Sequence, residues 1–228
     1  MIRHVRSVAL LVALSTAAAV SCGNDSGVDD DTIAEATVRV RADGCGPRTE
    51  LGTGTSIGDG LVVTAAHVVA GAERVEVVDQ LGDPVEAEVV LFDPALDVAA
   101  LRPITAPSPP VPLRADRAAE GDTGVIAIAS TDGSIELVDV EVMQRVTILT
   151  TDIYRDEAVQ RPGLRIAVSV EPGDSGAMVH LEGGGAGIVW SRSTESSDQA
   201  WTVDLPDELL EPASRRALVE PVDTGPCP

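Results

Sequence analysis

Three short segments carry residues of the types that nucleophilic catalysis uses. Thr64-Ala65-Ala66-His67-Val68-Val69 leads from the end of an apolar run, through small residues, into a single histidine. Asp93-Pro94-Ala95-Leu96-Asp97-Val98-Ala99-Ala100-Leu101 places Asp97 at the head of a run that reads as buried. Glu171-Pro172-Gly173-Asp174-Ser175-Gly176-Ala177 sets a serine between glycines, at a turn before a strand. Alone, each is ordinary. A Gly-Asp-Ser-Gly tetrapeptide is commonly a polar turn, a histidine after a strand is more often structural, and an aspartate before an apolar run is often a cap. Together they run in the order His, Asp, Ser, separated by 30 and 78 residue steps. A serine hydroxyl is a poor nucleophile at neutral pH and needs an adjacent base.

Short strands and turns must position these residues. Thr37-Val38-Arg39-Val40-Arg41 alternates apolar and polar, and Gly58-Asp59-Gly60 is a turn between two strand-like runs. Residues 74–78, 87–91 and 97–101 read as further strands. Residues 103–112 hold five prolines, which cannot sit in a central strand and read as a linker between two similar halves. Strand patterns resume at Val125, Ile135, Val146, Leu164, Ala177, Gly187 and Ala200, with Gly183-Gly184-Gly185 as a hairpin turn. Pro206 to Leu218 is the one helical pattern outside the leader, and Pro212 interrupts it. Many short strands with turn signals predict an all-β barrel or sandwich architecture.

The order and spacing of His67, Asp97 and Ser175 resemble those of the chymotrypsin-fold serine peptidases, over about Ala36 to Val203. The order differs from that of subtilisin-like and α/β-hydrolase enzymes. Asp152-Ile153-Tyr154-Arg155-Asp156 and Val159-Gln160-Arg161 narrow the likeness to the membrane-anchored periplasmic serine peptidases of actinobacteria that serve acid and oxidative stress resistance. The resemblance implies two six-stranded antiparallel β-barrels, residues 36–112 and 113–228, with the site in the cleft between them. It implies His67 as general base, Asp97 as the group that orients its imidazole, and Ser175 as the nucleophile that forms an acyl-enzyme. The backbone N–H groups of Gly173 and Ser175 match the family's oxyanion hole. The implied partner is a protein or peptide substrate, and the family needs no cofactor.

Alignment to the family puts Ser169 near the base of the primary specificity pocket and Trp190, Ser191 and Arg192 along its wall. No acid stands at the base, so a preference for Arg or Lys is not expected. Arg192 would narrow the pocket or favour an acidic side chain, or else be a solvated loop residue. Ala177 departs from the glycine that relatives commonly have there, and its Cβ is expected to crowd the turn. Asp174 matches an acid that pairs with a freed chain amine in the digestive branch of the family. No Ile-Val-Gly-Gly activation sequence precedes Val38, so Asp174 is expected to meet Arg145, Arg165 or solvent instead. His180 is expected to be structural.

The ends of the chain carry addressing signals. Arg3, His4 and Arg6 precede an apolar run from Val8, the pattern of a signal segment over residues 1–21. Ala19-Val20-Ser21-Cys22 resembles a bacterial lipobox with Cys22 as the lipidated residue, although Ala19 stands where leucine is usual. Ordinary secretion and an uncleaved anchor are the alternatives. Residues 22–35 read as a flexible acidic tether. Cys45 and Cys227 then remain, to form a disulfide permitted in an exported compartment or to stay as two thiols.

Composition bounds the rest. The 228 residues include 16 Lys plus Arg against 37 Asp plus Glu, a net charge of −21. That excludes a basic nucleic-acid binder and argues against binding an anionic lipid surface by charge. With aromatics at 2%, stacking platforms for bases are not expected. No metal-ligand spacing is present among the three histidines and the acids. The expectation is an exported, lipid-anchored serine endopeptidase with no metal. Its rivals are a tethered binding module whose cleft is blocked by Met178 or Arg192, and an esterase-like activity on the same site.

Overall fold

The structure, a computed structural model, describes residues 27–105, 109–114, 116–131 and 133–228. The leader and Cys22 lie outside the described residues. The first barrel contains β1 (Thr37–Asp43), β2 (Glu50–Gly58), β3 (Leu61–Thr64), β4 (Arg74–Val78), β5 (Pro84–Asp93) and β6 (Val98–Pro103). The second contains β7 (Thr123–Ala129), β8 (Ile135–Thr151), β9 (Ala158–Ala167), β10 (Met178–Leu181), β11 (Gly184–Arg192) and β12 (Gln199–Val203). Each closes on itself, in the orders β1-β2-β3-β6-β5-β4 and β10-β11-β12-β9-β8-β7, with antiparallel pairing between the neighbouring strands. Closure pairs the barrel strands on both sides, which open sheets leave bare at their edges, whereas the outer β8–β9 hairpin pairs with itself alone. The proline-rich stretch begins at Pro103, the last residue of β6, and its described prolines 109, 110 and 112 fall between the barrels, outside the strands.

Strand alternation divides the core into three. Val62 and Ala99 turn into the first barrel, and Ile126, Val179 and Val189 into the second. Their chain neighbours Leu61, Val63, Ala100, Val125, Ala127, Met178 and Ile188 pack in a third cluster that joins the barrels. Successive side chains of a strand point to opposite faces, so one strand serves an interior and the seam together. Continuous Val/Ile/Ala runs are the sequence record of that double burial.

Helix α1 (Asp30–Ala36) corrects the tether reading for residues 30–35, while residues 22–26 lie outside the described residues. Asp29 caps it, its carboxylate accepting from the Thr32 N–H at 2.8 Å. Asp30 and Asp31 lie in the first turn, where the helix dipole favours negative charge. Ile33 and Ala36 are fully buried in the seam. Helix α2 (Ala66–Val69) follows β3, and α3 (Asp207–Leu210) and α4 (Pro212–Ala217) follow β12, with the break near Pro212 that the sequence implied. Beyond α4 the chain crosses back to the first barrel. Val222 N–H donates to the Val89 carbonyl at 2.8 Å and Gly71 N–H to the Thr224 carbonyl at 3.2 Å. A disulfide between Cys45 and Cys227 then pins the tail, with a Cα–Cα distance of 5.5 Å.

Candidate active site

His67 stands on α2, directly after the last residue of β3 and Ala65. Asp97 ends the turn that joins β5 to β6. The turn is built by Asp93, whose carboxylate accepts from the N–H groups of Ala95 at 2.9 Å and Leu96 at 2.8 Å. Its carbonyl accepts from the Asp97 N–H at 2.9 Å. Asp97 adopts φ +65°, a left-handed conformation uncommon outside glycine. Its side chain, 4% exposed, meets the His67 Nδ1 at 2.9 Å through Oδ2 and 3.0 Å through Oδ1. The His67 backbone N–H donates to Oδ1 at 2.9 Å. A carboxylate at Nδ1 fixes the imidazole so that Nε2 is the nitrogen left to exchange a proton.

Ser175 arrives from the second barrel. The turn before it is closed twice: Asp174 N–H donates to the Glu171 carbonyl at 3.1 Å, and the Asp174 carboxylate accepts from the Glu171 N–H at 2.8 Å. The Ser175 carbonyl accepts from the Thr53 N–H of β2 at 2.8 Å, docking the turn against the first barrel. Gly176 takes φ +88°, and a Cβ there would lie 2.2 Å from the Thr53 carbonyl oxygen and 2.9 Å from the Ala65 nitrogen. Only glycine fits that approach, which sets the serine beside the chain entering α2. Gly173 takes φ +110° in open space, so its constraint is the backbone angle. Ala177 does not crowd the turn: it is fully buried, and its Cβ joins the core of the second barrel. Among the described residues, no hydrogen bond links the Ser175 hydroxyl to the His67 imidazole.

Two recesses flank these residues. One, about 260 Å³, is lined by Val170, Glu171, Pro172, Ser175, Val189, Ser191 and Arg192. The other, also about 260 Å³, adjoins His67 and Asp97 and includes Trp190, Ser191, Arg161 and the β8–β9 hairpin. Ser191 belongs to both and joins them.

Four expectations need correction. Ser169 is exposed and lies outside the recess beside Ser175, because β9 has ended at Ala167 and it is Val168 and Val170 that turn inward. Trp190 faces the His67 side instead of that recess. The β11–β12 register slips between Val189 and Ser191, leaving Trp190 as the extra residue of a bulge, which re-aims its side chain. Asp174 pairs with neither named arginine. Arg145 is taken by Asp204, and Asp174 is held by a backbone N–H while burial pushes its carboxyl above the ordinary value. Met178 is fully buried in the seam and blocks nothing, whereas Arg192 does line the recess.

Sequence reasoning left one residue of the site without a role. Arg161, on β9, is 3% exposed and reaches across the seam to the Asp97 turn. His180 is fully buried on β10 with neither ring nitrogen hydrogen-bonded, and burial lowers its pKa to about 4. Among the described residues, no group of three or more His, Cys, Asp or Glu side chains is placed to hold a metal ion.

Residues 52–186 match the model of the trypsin-like peptidase domain. The chain belongs to the trypsin-like peptidase family. Its similarity to Serine protease Rv3671c of Mycobacterium tuberculosis is 33% identity over 179 residues, covering 77% of this chain. The chain spans 44% of the length of that relative. The crystal structure described as the active form of Rv3671c protease superposes with a TM-score of 0.78 at 27% identity, covering 100% of this chain and 99% of that one. The form described as inactive gives 0.67 at 29% identity, over 76% and 85%. The trypsin-like fold is therefore common to all of them, with two β-barrels meeting at the site.

Proposed function

We propose that this member of the trypsin-like peptidase family is an exported serine endopeptidase, with His67, Asp97 and Ser175 as its triad. The observation that carries the reading is the buried Asp97 carboxylate bonded to both Nδ1 and the backbone N–H of His67, with Ser175 docked on the neighbouring strand. His67 takes the serine proton as Ser175 Oγ attacks the scissile carbonyl, then gives it to the leaving amine. Asp97 stabilises the imidazolium formed between the two steps. Water, activated by the same imidazole, hydrolyses the acyl-enzyme. The N–H groups of Gly173 and Ser175 receive the oxyanion; losing one such donor costs on the order of 3 kcal/mol in the barrier.

The recess beside Ser175, walled by Val170, Val189 and Pro172 with Arg192 at its polar side, takes the side chain before the scissile bond. Nothing acidic but Glu171 lines it, and apolar walls disfavour burying an Arg or Lys terminus without a partner. Export and anchoring rest on the sequence: the leader over residues 1–21 and lipidation at Cys22. The Cys45–Cys227 disulfide suits that compartment. Among the described residues, no helix is long and apolar enough to cross a membrane.

A second reading, a protein held latent, is favoured by one observation: the Ser175 hydroxyl and the His67 imidazole are not hydrogen-bonded. Such bonds often tighten only with substrate in place. Fluorophosphonate labelling separates the readings. Labelling at Ser175 that disappears in Ser175→Ala and in His67→Ala supports the peptidase. No labelling of the wild-type protein at any pH, oxidised or reduced, supports latency.

A further inference from the structure

Arg161 makes an unusual set of contacts for a buried cation. Its Nε donates to the Ala95 carbonyl at 2.8 Å, and its Nη2 to the Thr151 carbonyl at 3.2 Å. Its Nη1 lies 3.8 Å from Asp97 Oδ2, and its guanidinium stacks 4.4 Å above the centroid of the Trp190 ring. One planar group thus touches the Asp97 turn of the first barrel, strand β8 of the second, and the aromatic wall beside His67. Lysine cannot copy this, since a point charge lacks the fork that reaches two carbonyls at once.

The surroundings are charged and tied across the seam. Asp93 and Asp97 face Arg161 from the β5–β6 turn, Asp152 and Arg155 from the β8–β9 hairpin, and His67 from α2. The same hairpin grips the turn a second time, through the Ile153 N–H donating to the Pro94 carbonyl at 3.1 Å. It also holds the C-terminal tail, through the Tyr154 hydroxyl donating to the Thr224 carbonyl at 2.8 Å. Burial lowers the Arg161 pKa, and the charges of Asp97, Asp152 and Asp93 oppose that, so the group stays charged at working pH.

We propose that Arg161 is a positioning residue for the His67–Asp97 pair: it clamps the left-handed Asp97 turn from the opposite barrel and supplies the fixed positive charge beside the carboxylate. The proposal rests on the triad reading above. Asp97 sits in a backbone conformation that persists only when its surroundings over-determine it. Arg161 and Ile153 both donate hydrogen bonds to that turn from the second barrel, to the Ala95 and Pro94 carbonyls. The Arg161 charge also attracts the carboxylate, with Nη1 3.8 Å from Oδ2, so removing it loosens Asp97 at His67.

The test compares the full oxidised chain with Arg161→Gln and Arg161→Lys, each checked for a cooperative thermal transition. Proton NMR reads the far-downfield resonance of the His67 Nδ1 proton shared with Asp97, which needs no catalysis. Fluorophosphonate labelling and peptide hydrolysis across pH read the assembled site. In Arg161→Gln the resonance should disappear, and kcat should fall about 100-fold with KM unchanged, as expected for a misplaced reacting group. Arg161→Lys should regain only part of the rate. An unchanged resonance and rate in Arg161→Gln would overturn the proposal. If that variant does not fold, a lysine variant as fast as wild type would overturn it. A wild-type protein that gives the resonance but takes no label defeats the peptidase reading alone, and the resonance in the variants still decides the role of Arg161.

Discussion

The two halves of the site are held by different means. His67 and Asp97 are tied by side chains: a carboxylate with partners on two sides, a turn bonded throughout by Asp93, and a buried arginine behind it. Ser175 is held mostly by backbone, through glycine angles and a strand contact to Thr53, with two side-chain bonds in the turn before it: Thr53 Oγ1 donates to the Gly173 carbonyl at 3.2 Å, and the Asp174 carboxylate accepts from the Glu171 N–H. The charge next to it in the chain, Asp174, meets a backbone N–H and no cation. The contrast teaches where adjustment can occur. The acid–base half is over-determined, and the nucleophile half depends on a few peptide orientations. In the proposed mechanism, bringing the Ser175 hydroxyl to His67 is then an adjustment of the turn 171–176 that leaves the His67–Asp97 contact in place.

Breaking the comparison outright needs only the nucleophile. Ser175→Ala should remove labelling and lower kcat by about a millionfold, the loss seen when a comparable triad loses its serine. If turnover survives, the halves do not form one site. The disulfide tests the support of the acid–base half. Replacing Cys45 and Cys227 together with serine removes a crosslink 182 residues long and should cost about 5 kcal/mol at most by chain entropy. Denaturant unfolding measures it. Loss of the tail should loosen Tyr154 and its hairpin before it affects the serine turn.

Gly176→Ala strikes the backbone that holds the serine. A Cβ 2.2 Å from the Thr53 oxygen at φ +88° should cost about 3 kcal/mol and abolish labelling, while the His67–Asp97 proton resonance persists. Survival of labelling would mean that the turn is far less constrained than its geometry implies.

Acid should weaken the serine side through His180, two strand positions beyond the start of β10. Its folded pKa, about 4, lies below the ordinary 6.5, so the unfolded chain binds the proton first. Stability is full above pH 6.5 and declines as pH falls toward about 4, by about 3 kcal/mol in total. His180→Leu should flatten that slope in thermal melts taken across the window. The smallest effect is expected for Asp174→Asn. A carboxyl whose pKa is raised contributes stability at low pH and loses it as pH rises through the folded value. The amide should therefore raise the melting temperature at neutral pH and leave it unchanged in acid.

How far the sequence disclosed this site depends on the range of the contacts. His67, Asp97 and Ser175 stood out as candidates because each sits in a local pattern, and their order adds information that the separate patterns lack. Alternation and turn signals gave an all-β barrel or sandwich, the proline run suggested two similar halves, and the two six-stranded barrels came from the family resemblance. Helix α1 was missed because three consecutive aspartates look like a solvated run; Asp29 as a cap and the acids behind it were the available signal. Arg161 was quoted in a motif yet given no role, since Ala95 and Asp97 lie more than 60 residues away from it in the chain. Ser169 and Trp190 were misplaced because alignment assumes unbroken alternation, and one strand ends while the other bulges.

The tail that returns to the first barrel also changes what a cut can do. Cys45 and Cys227 enclose nearly the whole folded chain in one covalent ring. A single backbone cleavage anywhere within that ring, including the proline-rich stretch between the barrels, opens it without releasing a piece. The two fragments remain one molecule until a reductant reaches the sulfurs, so a nicked protein and an intact one have the same mass but for one water, and separate on a gel only after reduction.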